Sequence, residues 1–120
     1  MPFPPDEIEE LNLCYSGLAA AQEGGVEFIL IQNLRLPPGC NPEIVDVLFC
    51  PYGRGDGYAS RLFLSQQVAH NGRGKNWNAV GVVILGRQWW AVSWNALPAT
   101  SQPGKQRLAA ILAAHLEAFQ

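Results

Sequence analysis

Ser93 has the strongest claim to covalent chemistry in this sequence. It closes the tryptophan-rich run Gln88-Trp89-Trp90-Ala91-Val92-Ser93, just ahead of an irregular, proline-bearing stretch. An alcohol is a weak nucleophile until a neighbouring group takes its proton, so a catalytic Ser93 needs a base within reach. His70 and His115 are the only imidazoles in the chain. Asn95, two residues beyond Ser93, carries an amide donor of the kind that stabilises a developing oxyanion. The plainer alternative for Ser93 is a small polar residue at a strand end. His115 falls on the apolar stripe of the last predicted helix, where a packed, hydrogen-bonded ring is the simpler expectation. His70, beside Asn71-Gly72, reads as a solvated loop residue.

The thiols point to less. Cys14, Cys40 and Cys50 are an odd number without C-x-x-C spacing, so neither a disulfide framework nor a zinc site is indicated and no metal is expected. Cys14 is expected in the core. Cys40, in a turn, is expected to be accessible, yet no basic neighbour in sequence would lower its pKa. Gly53-x-Gly55-x-Gly57 lacks the strand, turn and helix context of a phosphate-binding loop and no Lys-Ser or Lys-Thr accompanies it, so no nucleotide or other cofactor is expected. Arg54-Gly55-Asp56 reads as ordinary turn chemistry.

The bulk numbers limit the partners. With 120 residues, 48% of them hydrophobic and 15% charged, the chain has the size and composition of one globular domain spanning 1–120. A net charge of -2 with scattered Lys and Arg gives no attraction to a phosphate backbone, so nucleic acid is not an expected partner. No apolar run approaches the roughly 20 residues needed to cross a bilayer. The opening Met1-Pro2-Phe3-Pro4-Pro5-Asp6-Glu7 lacks the basic and apolar regions of a signal peptide, so no membrane is expected and a cytoplasmic location is.

The elements that must position these groups are readable from pattern. Asp6 to Leu13 is predicted to form a helix capped by Asp6, and Val26 to Leu36 a strand. Leu36-Pro37-Pro38-Gly39-Cys40-Asn41-Pro42 forces a corner. Strands follow at Glu43 to Cys50 and Arg61 to Ser65, with loops at 52–58 and 66–75. Two apolar runs, Asn78 to Leu85 and Gln88 to Trp94, joined by Gly86-Arg87, predict an antiparallel hairpin with a II′ turn. Leu108, Ile111, Leu112, His115, Leu116 and Phe119 form a helical stripe within Lys105 to Phe119, with Thr100 or Ser101 as candidate caps. Helix, antiparallel strands, then helix give an α+β sandwich covered on one face of the sheet.

The Pro/Gly corner closing on Cys40-Asn41-Pro42, the strand Val45-Asp46-Val47-Leu48, and Trp89-Trp90-Ala91-Val92-Ser93 ahead of a terminal helix resemble bacterial relatives of ubiquitin-conjugating enzymes. These are found beside ubiquitin-like proteins and their activating enzymes. Cys40 stands in the place of the family's corner tyrosine. The resemblance, from about Leu13 to Phe119, implies a UBC-like fold: a four-stranded antiparallel meander with an N-terminal helix and a C-terminal helix on the sheet. It implies an acyl-transferring component that accepts the C-terminus of a ubiquitin-like protein from a ubiquitin-activating-type enzyme. Those two proteins are the implied partners. Ser93 occupies the position of the family's thiol, which implies an oxyester. Asn71, Asn76, Asn78 or Asn95 would supply the amide of the missing His-Pro-Asn tripeptide, and His70 is the candidate base. The competing reading is a non-catalytic protein-binding module on the same scaffold, like inactive conjugating-enzyme variants and RWD-type domains.

Overall fold

The computed structural model describes residues 3–55, 57–94 and 107–120. Helix α1 spans Pro5–Cys14 and is followed by strands β1 (Leu18–Glu23), β2 (Val26–Arg35), β3 (Cys40–Asn41), β4 (Ile44–Cys50) and β5 (Arg61–Leu64). Then come β6 (Ala69–His70), β7 (Trp77–Ile84), β8 (Arg87–Val92) and helix α2 (Leu108–Leu116), which tightens into a 3-10 turn at Glu117–Phe119.

The architecture is α+β, but the sheet is larger than the expected four-stranded meander. Six strands pair in the order β1-β2-β4-β5-β8-β7, and β3 and β6 form a separate pair. Two causes account for the difference. β1, Leu-Ala-Ala-Ala-Gln-Glu, is built from poor strand formers and lies at a sheet edge. It is held by a hairpin whose turn residues Gly24 and Gly25 both have positive φ. At the other end, the chain leaves β5, passes to the far edge as β7, and returns as β8 beside β5, so the order is not a simple meander. The expected II′ turn also lies one residue earlier. Ile84 pairs with Arg87, so Leu85 and Gly86 are the loop, at φ of 55° and 74°, the backbone of a type I′ turn.

Side-chain alternation sends the two faces of the sheet into two cores. Val45, Val47 and Phe49 of β4 and Leu62 and Leu64 of β5 meet Leu11 of α1 and Leu108, Ile111, Leu112 and Phe119 of the C-terminal segment. Leu48, Cys50 and Phe63 point the other way and join Phe28, Ile84, Trp89 and Ala91 in a cluster that contains no helical residue. The stripe expected on the last helix is therefore the face that packs. Asp6, expected to cap α1, makes no capping bond there. It accepts instead from Arg107 Nη2 at 3.2 Å, while Glu7 Oε1 accepts the Leu108 N–H at 2.8 Å and thus caps α2 from the neighbouring helix. The candidate caps Thr100 and Ser101 lie outside the described residues.

The Pro/Gly corner is pinned rather than free. Asn71 N–H donates to Gly39 O at 2.8 Å, and Cys40 pairs with His70 across β3 and β6. Gly39 has φ of 95°, and a Cβ there would sit 2.5 Å from Asn71 Oδ1 and 3.1 Å from the His70 ring. Gly39→Ala is therefore expected to cost about 1–2 kcal/mol through left-handed backbone strain, read as a lower urea midpoint at unchanged slope.

Candidate functional site

Ser93 follows the last residue of β8, where the ladder continues for one more bond: its N–H donates to Asn76 O at 2.7 Å. The next residue, Trp94, donates from Nε1 to Ala114 O at 2.9 Å and so ties this point of the chain to α2. Between these two anchors Ser93 is exposed, at the rim of the sheet beside the closing helix.

Its hydroxyl is the outer end of a hydrogen-bonded chain. Ser93 Oγ lies 3.3 Å from Tyr58 Oη, and that phenol oxygen accepts from Asn78 Nδ2 at 2.6 Å. Asn78 Oδ1 in turn accepts from Arg61 Nη2 at 2.8 Å. The orientation of the amide is dictated by the arginine, which has only donors to offer, so Asn78 must turn its oxygen inward and its NH₂ toward the phenol. Arg61 is buried, and its guanidinium stacks over the Tyr58 ring with 4.1 Å to the centroid, adding cation–π attraction that holds the ring in place. Each element contributes for a local reason. Arg61 begins β5, Asn78 lies on β7, and Tyr58 comes from the glycine-rich loop after β4. That loop can fold back because position 53 is glycine at φ of 80°, where a Cβ would meet the carbonyl oxygen of Tyr58 at 2.9 Å.

Behind this chain lies a second polar pair. Ser60 Oγ and His115 Nε2 are 2.8 Å apart, both residues are buried, and the His115 ring packs edge-on to Phe49. Burial, helped by the Arg61 charge, lowers the His115 pKa to about 4. This imidazole is neutral near pH 7, as expected of a packed ring. The linkage sign follows. Because the folded value lies below that of the unfolded chain, acid protonates the unfolded state first, and stability falls as the pH drops from about 6.5 toward 4. The loss across that window is about 3 kcal/mol. Urea unfolding at pH 7 and pH 4.5 checks it, with His115→Gln expected to flatten the profile. Asp46 acts in the same direction at lower pH. The Asn33 N–H it accepts, and then Arg87, hold its carboxyl below the usual range, so its contribution disappears as acid protonates it.

The other residues singled out from sequence fall elsewhere. The His70 ring donates from Nε2 to Pro38 O at 3.2 Å, so it braces the corner; the structure joins Ser93 to Tyr58 and forms no hydrogen bond between Ser93 and His70. Asn95 lies outside the described residues. The thiols exchange their expected environments. Cys40 is buried and donates to Phe119 O at 3.4 Å, with burial raising its pKa, whereas Cys14 is exposed. Cys40 is thus a poor nucleophile on both counts. Among the described residues no cluster of three or more His, Cys, Asp or Glu could hold a metal, and no helix is long and apolar enough to cross a membrane. Tyr58 and Arg61 escaped the sequence reading. The one available signal was a charge opening the wholly buried run Arg61-Leu62-Phe63-Leu64, since an arginine in such a place needs built partners.

Fold and site together define a small α+β domain that presents a strand-end serine on a buried arginine relay. No family model, curated protein or solved structure matches the chain.

Proposed function

We propose that this chain is a UBC-like component of a ubiquitin-like protein conjugation pathway, with Ser93 as the acyl acceptor. The observation that carries the reading is the setting of Ser93: an exposed hydroxyl at the rim of the sheet, next to a closing helix to which Trp94 is tied. A partner's C-terminal tail can approach such a group, whereas Cys40 and Cys50 are buried. The order of helix, antiparallel sheet and helix is common to the UBC-like scaffold, from which the six-stranded, non-meander sheet departs.

The chemistry is an acyl exchange. Ser93 Oγ attacks the thioester carbonyl presented by the activating enzyme, the C–O bond forms, the C–S bond breaks, and the serine proton leaves with the departing thiolate. The ester is then passed to an amine. The test is intact mass after incubation with a synthetic glycine-terminated peptide thioester. One acyl mass that survives dithiothreitol and is released by base supports the reading, and its absence counts against it.

A second reading, the non-catalytic protein-binding module, draws on one specific observation. The hydrogen-bond partner of Ser93 is a phenol, while His115 is bonded to Ser60 and His70 to Pro38. It predicts association with a partner and no covalent adduct under any trapping condition.

A further inference from the structure

We propose that Tyr58 is the acid that protonates the departing Ser93 oxygen when the acyl group passes to an amine. The inference rests on the serine-acceptor reading and supplies what that reading most needs. A serine oxygen is a far poorer leaving group than a thiolate, so an ester intermediate stalls unless a proton reaches the oxygen as the C–O bond breaks.

The geometry assigns the donor. Ser93 Oγ and Tyr58 Oη are 3.3 Å apart, and in the free protein either hydroxyl can donate. Acylation removes that ambiguity, because the ester oxygen of Ser93 carries no hydrogen, and the contact then persists only with the phenol as donor. The remainder of the chain is arranged for the same end. Asn78 Nδ2 donates to Tyr58 Oη at 2.6 Å, and the Arg61 cation stacks on the ring. Both hold the phenol oxygen in place beside Ser93 Oγ. The step balances: the neutral amine nitrogen bonds to the carbonyl carbon, the C–Oγ bond breaks, Ser93 Oγ takes the Tyr58 proton, and the resulting phenolate recovers a proton from the nitrogen that became cationic on attack. Loading makes no such demand, since there the leaving group is a thiolate.

The experiment separates the two half-reactions. Wild-type protein and Tyr58→Phe are loaded with the glycine-terminated peptide thioester, and free lysine is added to the purified ester. Tyr58→Phe is expected to load to the wild-type level and to discharge about 100-fold more slowly. Phenylalanine keeps the ring under Arg61, and circular dichroism verifies the fold. Asn78→Ala, which removes the donor to the phenol, is also expected to slow discharge. Loading without any slowing of discharge in Tyr58→Phe overturns the assignment of Tyr58 alone. The absence of an ester on wild-type protein overturns the serine-acceptor reading and the Tyr58 assignment with it.

Discussion

Ser93→Ala is expected to abolish the acyl adduct and to leave the fold intact. The first half follows from the chemistry, because no other described hydroxyl combines a strand-end position with a tie to α2 through the next residue. The second follows from the environment. Ser93 is exposed, its side chain makes one 3.3 Å contact, and its backbone bond to Asn76 O survives the substitution. A change of this kind at the surface is worth about 0.5 kcal/mol or less. The informative control is Cys14, the exposed thiol, which can exchange with a thioester in its own right. An adduct on Cys14 is removed by dithiothreitol, whereas an ester on Ser93 is not. Cys14→Ser is accordingly expected to retain the thiol-resistant adduct and Ser93→Ala to lose it.

Trp89→Ala is expected to bring the domain close to unfolding. Trp89 is 2% exposed, sits among Phe28, Leu48, Phe63 and Ile84, and donates from Nε1 to Ile84 O at 3.1 Å. Arg87 stacks on its outer side, 4.7 Å from the ring centroid. Truncation leaves a cavity in a core whose described members all lie on strands. It also removes the indole's bond to a backbone carbonyl at the β7–β8 turn. The cost is about 3–5 kcal/mol, against a total of roughly 5–15 kcal/mol for a domain. Trp89→Phe restores most of the volume and not the bond, and its urea midpoint is expected between the two. Equal midpoints for wild type and Trp89→Ala would show that this second core contributes little.

The legible parts of the fold were those in which one local pattern had one outcome. Glu43 to Cys50 and Arg61 to Ser65 read as strands from their short apolar runs, which the structure buries on both faces, and the stripe from Leu108 to Phe119 read as a helix that packs. Leu18–Glu23 did not read as a strand, because its alanines carry no strand signal and its pairing is supplied by the Gly24-Gly25 hairpin and by β2. Cys14 and Cys40 were exchanged for a similar reason. Position on a turn or near a helix end does not reveal which face meets the sheet, and the buried Cys40 meets Phe119 from the far end of the chain. The same holds for the site. Ser93 stood out locally, but its partner Tyr58 is 35 positions away in a loop, and its link to Arg61 passes through Asn78 on another strand. His70 looked solvated in sequence and is fixed by a two-residue pairing too short to leave a pattern.

The most direct test of the serine-acceptor account is tandem mass spectrometry of protein acylated by the glycine-terminated peptide thioester. The account predicts the acyl mass on the fragment ending at Ser93, resistant to dithiothreitol. Acyl groups found only on Cys14 or on lysines, or none at all, would contradict it.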